Sequence, residues 1–244
     1  MDEILKVRNL DFGFEGRNIL QGINFHLRRK EIYVLLGGSE SGKSVFLRLV
    51  AGLFTPQKGS VEIEGIDLAT ASRKVVQEIR ANMGFVFQEP ALISNMSIYD
   101  NVALPLRYHT RLGEAEIRRQ VEEKMGMFGV DRRYDRSIPA QLSLGMQKRA
   151  ALARALIGEP KLLFLDEPAT GLGAEMELWV ARVLKNYQER AGASLLVVTS
   201  EWPSVLDIAH RIGLLENGKM GAEGTAQEMR VELKKTISID SSFP

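Results

Sequence analysis

Short apolar runs alternate with longer charged stretches along this chain, and the two periods predict most of its elements. Ile32-Tyr33-Val34-Leu35-Leu36, Gly84-Phe85-Val86-Phe87-Gln88, Leu162-Leu163-Phe164-Leu165 and Ser194-Leu195-Leu196-Val197-Val198-Thr199 are too short and too uniformly apolar for surface helices. They read as strands buried on both faces. Residues 4–10, 18–27 and 60–63 instead alternate apolar and polar positions, the pattern of half-exposed strands, with Gly13 and Gly16 marking a turn between the first two. Asn217-Gly218, inside the segment 212–220, is a hairpin signal. Helices are predicted at 45–50 (stopped by Gly52), 72–80, 114–128 (Ile117, Val121, Met125 and Phe128 on one face), 147–156, 176–190 and 203–209. Ser97 is placed to cap a short helix ending near Pro105. Between Glu89 and Ala150, Pro90, Pro105 and Pro139 punctuate mainly helical patterns, which predicts a helical subdomain at about 89–150 inserted between strands.

Two clusters carry chemistry. Gly37-Gly38-Ser39-Glu40-Ser41-Gly42-Lys43-Ser44 fits the P-loop pattern, with an apolar strand before it and a helical pattern after it. In such a loop the glycines let successive N–H groups converge on an anion, and the helix N-terminus adds partial positive charge. Lys43 can then reach the β- and γ-phosphates and Ser44 a Mg²⁺ ion. The second cluster is Asp166-Glu167, at the C-terminal end of a buried strand, where open α/β sheets bind ligands. Asp166 is suited to hold Mg²⁺ and Glu167 to orient or deprotonate an attacking water.

Other residues are ambiguous on their own. Phe14, at the first turn, can stack on a base, though packing is the commoner role for an aromatic. Gln88 either caps its strand or holds a metal or water. Ser143 caps the helix that follows it, and the same helix start is also a potential second phosphate site.

Composition narrows the partners. The 244 residues are 45% hydrophobic and 26% charged with a net charge of +1, so no bulk attraction to nucleic acid is expected. There is no cysteine, which excludes disulfides and thiolate metal sites. The start, Met1-Asp2-Glu3, is acidic and unlike a secretory leader. No apolar run approaches the roughly 20 residues needed to span a bilayer.

In their order and spacing these landmarks resemble the nucleotide-binding subunit of an ABC transporter over roughly residues 4–225. The resemblance implies an α/β fold: a P-loop ABC ATPase core with an antiparallel β subdomain and a helical subdomain, spanning 1–228 and followed by a tail at 229–244. It makes Gly37–Ser44 the Walker A loop, Gln88 the Q-loop residue that touches nucleotide and metal, and Leu142–Met146 the signature. Asp166-Glu167 becomes Walker B, with Glu167 catalytic. Phe14 becomes the aromatic that stacks on adenine, and Ser143 and Gly145 face the γ-phosphate bound by a partner subunit. ATP and Mg²⁺ are the implied ligands. The implied partners are an integral-membrane permease, contacted through about 89–106, and a second copy or a second ABC ATPase. The location implied is peripheral, on the cytoplasmic face of the inner membrane. The signature ending in Met146 and the stretch Asn95–Leu106 are more narrowly similar to ATPases of Mla/Mce-type lipid transporters, which adds a possible lipid-binding component.

Three positions depart from the family pattern. Leu144 replaces the first signature glycine, Gly173 the D-loop aspartate, and Ser200 the switch histidine. The ATP- and metal-binding half of the site is complete, and the half that acts across a dimer is weakened. Firm MgATP binding with slow hydrolysis by a homodimer is the expectation.

Overall fold

The structure, a computed structural model, describes residues 2–200, 206–229 and 231. Two sheets organise it. Strands β1 (Glu3–Phe14), β2 (Arg17–Arg28), β4 (Lys58–Ile63) and β5 (Ile66–Asp67) form an antiparallel sheet in the order β2-β1-β4-β5. The second sheet has the order β10-β9-β3-β8-β7-β6. Its β3 (Ile32–Leu36), β6 (Met83–Val86), β7 (Leu162–Asp166), β8 (Ser194–Thr199) and β9 (Arg211–Glu216) run parallel. Strand β10 (Lys219–Thr225) turns back on β9 at Asn217-Gly218, where both residues have positive φ (49° and 74°), as a tight primed hairpin turn demands.

The apolar runs are explained by two cores on opposite faces of the parallel sheet. Ile32, Val34, Leu163, Leu165, Leu195 and Val197 face one core, while Tyr33, Leu35, Phe164, Leu196 and Val198 face the other. Successive residues of a strand point to opposite faces, so a strand covered on both sides has to be apolar at every position. The first core is completed by α3 (Ile98–His109), α4 (Glu114–Met127), α5 (Leu144–Leu156) and α6 (Ala174–Ala191). The second holds α1 (Lys43–Val50) between the parallel sheet and the antiparallel one. Helix α2 (Arg73–Ala81) buries no residue and lies on the surface, capped by Ser72.

Several predicted boundaries move, for identifiable reasons. Strand β1 continues to Phe14 through register shifts, one of them beside Asn9, whose φ is 45°; those shifts break the alternation at residue 10. Helix α3 does not end near Pro105 but runs through it to His109. Val102, Ala103 and Leu106 are buried on both sides of the proline, and their packing outweighs the single main-chain hydrogen bond that Pro105 cannot make. Strand β6 stops at Val86, at the sheet edge, so Gln88 lies beyond it and is exposed rather than ending the strand. At the C-terminal side, Thr225 and Glu228 form a reciprocal capping box: the Thr225 N–H donates to Glu228 Oε2 (2.8 Å) and the Glu228 N–H to Thr225 Oγ1 (3.3 Å). The helical turn it starts buries Met229 in the first core. Residues 203–205 of the predicted helix at 203–209, and most of the tail after 229, lie outside the described residues.

A buried polar cluster ties the two sheets together. Arg211 on β9 donates from Nη1 to Glu31 Oε1 (3.2 Å) just before β3, meets His26 Nε2 on β2 (3.1 Å), and pairs with Glu223 on β10 through Nη2. Its guanidinium lies 4.9 Å from the centre of the Tyr33 ring, whose hydroxyl donates to Glu223 Oε2 (3.0 Å). Burial, with the Glu223 carboxylate beside it, pushes the Tyr33 phenol well above its ordinary range. Arg211 and Glu31 are both buried, so removing one leaves a charge in the interior without its counter-ion. Arg211→Leu is expected to lower folding stability by about 3–5 kcal/mol. Urea unfolding followed by circular dichroism measures this, and an unchanged midpoint would show that the cluster does not hold the sheets together.

Candidate functional site

The chain leaves β3 at Leu36 and turns sharply at Gly37. A β-carbon at Gly37 would come within 2.4 Å of the Leu215 carbonyl oxygen and 2.6 Å of Ser41 Oγ, so only glycine fits between β9 and the loop. Gly42 has φ 102°, where a side chain would be strained, and a β-carbon there would also lie 2.9 Å from Leu20 Cδ2. Glu40 is left-handed as well, at φ 64°. Between these points the Ser41 N–H donates to the Gly38 carbonyl (3.3 Å), and the Phe46 N–H reaches back to Gly42 (2.8 Å) to start α1. Gly38, Ser39 and Glu40 form the exposed rim.

Lys43 is folded onto this loop. Its ammonium donates to the carbonyl oxygens of Gly37 and Gly38, both at 2.8 Å. Burial pulls its pKa below the ordinary lysine value, against the opposing charges of Glu167 and Asp166. Next along the chain, Ser44 Oγ donates to Asp166 Oδ1 at 3.0 Å. Asp166 is fully buried, and among the described residues its other oxygen, Oδ2, has no hydrogen-bond partner; Ser41 Oγ is likewise buried and unpartnered among them. Burial raises the Asp166 pKa, and the neighbouring Glu167 charge adds to that, while Ser44 opposes it. A hydroxyl and an aspartate oxygen in contact, with the second aspartate oxygen unsatisfied, fit a hard divalent cation that takes its remaining ligands from phosphate and water. Among the described residues no group of three or more acidic or histidine side chains could hold a metal ion by itself.

Glu167 follows at the strand end in a left-handed conformation (φ 47°), its N–H donating to the Val198 carbonyl at 2.9 Å. Thr170 Oγ1 (2.6 Å) and Thr199 Oγ1 (2.8 Å) donate to Oε2, and the Ser200 N–H and Oγ, each at 2.8 Å, donate to Oε1. Burial alone would raise this carboxyl, but the donors from Thr170, Thr199 and Ser200 outweigh it and hold the group below the ordinary glutamate value. The two adjacent carboxylates are therefore driven apart by the presence or absence of donors. Lys148 on α5 donates to the carbonyl oxygens of Thr170 (2.6 Å) and Glu167 (3.4 Å), fastening the helical subdomain to this loop.

A cleft of about 510 Å³ opens beside the loop, lined by Glu40 to Val45, by Arg17, Asn18 and Ile19 at the start of β2, and by Asn217 and Gly218 at the β9–β10 turn. Sequence reasoning missed this far wall. The Asn-Gly hairpin was legible, but nothing local indicated that it folds back over the P-loop. Phe14 is outside that lining. One side of its ring is exposed, and the other packs edge-on against Phe12 (4.8 Å between centres) and Phe54 (5.9 Å). Gln88 is exposed beyond β6. Ser143 caps α5, its Oγ accepting from the Met146 N–H at 3.3 Å, and Gly145 lies in the first turn, where a β-carbon would meet Leu172 Cδ2 at 3.3 Å. Among the described residues no hydrogen bond joins Ser143 or Gly145 to Gly37–Ser44. The structure thus brings together Gly37, Gly42, Lys43, Ser44, Asp166 and Glu167, and leaves Phe14, Gln88, Ser143 and Gly145 around them or apart.

The departures from the expected pattern have structural counterparts. Leu144 is 60% exposed on the first turn of α5, a bulky apolar side chain where a backbone would have to approach a phosphate. Gly173 has φ 84° and ψ 151°, a conformation open essentially to glycine alone, so this D-loop backbone follows a path that the aspartate would strain. Ser200 takes the place of an imidazole with a short hydroxyl turned onto Glu167.

Comparison with known proteins agrees with this geometry. Residues 20–170 match the family model described as ABC transporter. The chain is 36% identical to the probable ribonucleotide transport ATP-binding protein mkl of Mycobacterium leprae, over 88% of this chain and 62% of that protein. It therefore spans less than two thirds of that relative's length. It is 34% identical to the intermembrane phospholipid transport ATP-binding protein MlaF of Haemophilus influenzae, over 93% of this chain and 85% of that one. A dimeric ATP-binding cassette in a post-hydrolysis state, bound to ADP and Pi, superposes with a TM-score of 0.85 at 29% identity, covering 91% of this chain and 98% of the other. Among the described residues no helix is long and apolar enough to cross a membrane. With its α/β P-loop core, antiparallel sheet and helical subdomain, the chain belongs to the ABC transporter ATP-binding family.

Proposed function

We propose that this chain is the ATP-hydrolysing subunit of an ABC transporter, working as a head-to-tail dimer beneath an integral-membrane permease on the cytoplasmic face of the inner membrane. The observation that carries the reading is the Ser44–Asp166 pair, with its unsatisfied Oδ2, set directly beneath the Lys43 loop. The loop amides and Lys43 bind the phosphates. Ser44 and Asp166 would hold Mg²⁺, with Gln88 reaching it only if the exposed segment beyond β6 moves in, and the ion would supply charge neutralisation to the phosphates. Glu167 orients or deprotonates the attacking water. Phe14, at the rim, stacks on the adenine. Ser143 and Gly145 serve the nucleotide held by the opposite subunit.

Phospholipid or another hydrophobic solute is the cargo class we favour. It is supported by the Asn95–Leu106 stretch and by the similarity to the phospholipid-transport relative, and it implies a lipid-binding component in the complex. The mycobacterial relative's name points to ribonucleotides, so similarity at this level does not by itself select the cargo. The choice is made in the membrane subunits. Purification of the chain with its membrane partners in mild detergent tests it, and co-purification of a permease for a polar solute would overturn the lipid assignment.

A second reading has one specific observation in its favour. Glu167 is held by four donors and the switch histidine is absent, as would suit a nucleotide-gated module with little turnover. Glu167→Gln separates the two readings. In the transporter reading the variant binds MgATP, accumulates as an ATP-bound dimer in size-exclusion chromatography and loses at least about 10²-fold in kcat, as removal of a catalytic base does. A parent chain that shows no hydrolysis, and a variant that behaves identically to it, would favour the module.

Leu144 generates a second expectation. Losing one positioned donor to a transition-state oxyanion costs about 10²–10³ in rate. If Leu144 keeps the signature backbone away from the partner's γ-phosphate, Leu144→Gly recovers part of that loss and raises homodimer turnover by about tenfold. Steady-state phosphate release measures it. A Leu144→Gly rate equal to that of the parent would show that the signature is not what limits this chain.

A further inference from the structure

A carboxylate offers about four lone-pair sites to donors. At Glu167 all four are taken: Thr170 and Thr199 hydroxyls on Oε2, the Ser200 N–H and hydroxyl on Oε1, at 2.6–2.8 Å. The residue is fixed at the backbone as well, by its N–H on Val198 and by Lys148 reaching its carbonyl oxygen. A base needs one site open to accept a hydrogen bond from water, and none is open here. Donors reach the carboxylate from two segments, the loop after β7 (Thr170) and the end of β8 (Thr199 and Ser200), so the arrangement is a clamp closed from both sides.

Three of the four donors are hydroxyls that can rotate or withdraw, whereas the Ser200 N–H is set by the backbone. Thr170 lies in the same loop as Gly171 and Gly173, both with positive φ, and that loop leads into α6. Lys148 on α5 holds the Thr170 carbonyl, which couples the clamp to the helix that carries Ser143 and Leu144. Movement of α5 against the sheet therefore bears directly on Thr170.

We propose that Ser200 and Thr170 are positioning residues forming a hydroxyl brake on Glu167: they hold the base saturated at rest, and displacement of at least one of them is required before it can engage water. Ser200 is then a replacement for the switch histidine with a different job. It restrains the carboxylate rather than sensing the γ-phosphate. The proposal rests on the reading of Glu167 as the base.

The test is the MgATP turnover of purified full-length chain carrying Ser200→Ala, Thr170→Val or both, with Ser200→Thr as the conservative control. Each is made in the parent and in the Leu144→Gly background, and thermal melting checks that it is folded. The brake predicts that Ser200→Ala and Thr170→Val each raise kcat by about tenfold, the factor associated with one hydrogen bond to a charged group. KM for MgATP stays unchanged, and Ser200→Thr keeps the parent rate. A kcat that is unchanged or lower for both variants in both backgrounds, while Glu167→Gln still abolishes turnover, overturns the brake alone. Glu167→Gln turning over at the parent rate removes the base assignment and the brake with it.

Discussion

The burial of Asp166 at the end of β7 is the constraint on which the rest of the site depends. A carboxylate out of water is costly unless its oxygens are satisfied. Here one oxygen is met by Ser44, and the other finds no partner among the described residues. Ser44 reaches it only because α1 packs on one face of the parallel sheet, and α1 starts where it does only because Gly37 and Gly42 let the chain double back after β3. Strand, loop and helix are thus locked to one charged group. On the proposed function, that unsatisfied oxygen is the one that would be offered to a cation carrying phosphate ligands.

Glu167, one residue later, meets the opposite environment. It turns out of the strand at positive φ and finds four donors where Asp166 finds one. Adjacent carboxylates on one backbone are in this way given different surroundings by geometry: one with an oxygen left unsatisfied among the described residues, the other with donors on both oxygens. The second arrangement depends on Ser200, and a histidine there would present an imidazole in place of the short hydroxyl that sits on Oε1.

Much of this was legible in the sequence because it is local. A strand covered on both faces must be apolar throughout, and the P-loop has a fixed spacing, so β3, β7, β8, Gly37–Ser44 and Asp166-Glu167 could be placed from pattern alone. Ser143 and the Asn217-Gly218 turn follow from capping and hairpin chemistry. What could not be read depends on residues distant in sequence. Helix α3 runs through Pro105 because its neighbours are buried against other helices, and no local rule reports that packing. The register shifts in β1 come from its pairing with β2 and β4. Arg17 and Gly218 share a cleft although 200 positions separate them, and the clamp on Glu167 is assembled from two segments. The Thr225/Glu228 capping box is the exception: its spacing was visible in the sequence, and Met229 could have been placed in the core from it.

The posture of Lys43 bears on how fast and how tightly the loop can take a phosphate. A lysine waving in solvent gives up about 1.5–2 kcal/mol of rotamer freedom when a ligand immobilises it. Lys43 has already surrendered that freedom, since folding has laid its chain along the loop with the ammonium on two carbonyl oxygens. On the reading of Lys43 as a phosphate ligand, an arriving phosphate would exchange one set of acceptors for another without having to order this side chain. Its affinity would then turn on the strength of that exchange, the ordering of Lys43 having been met when the chain folded.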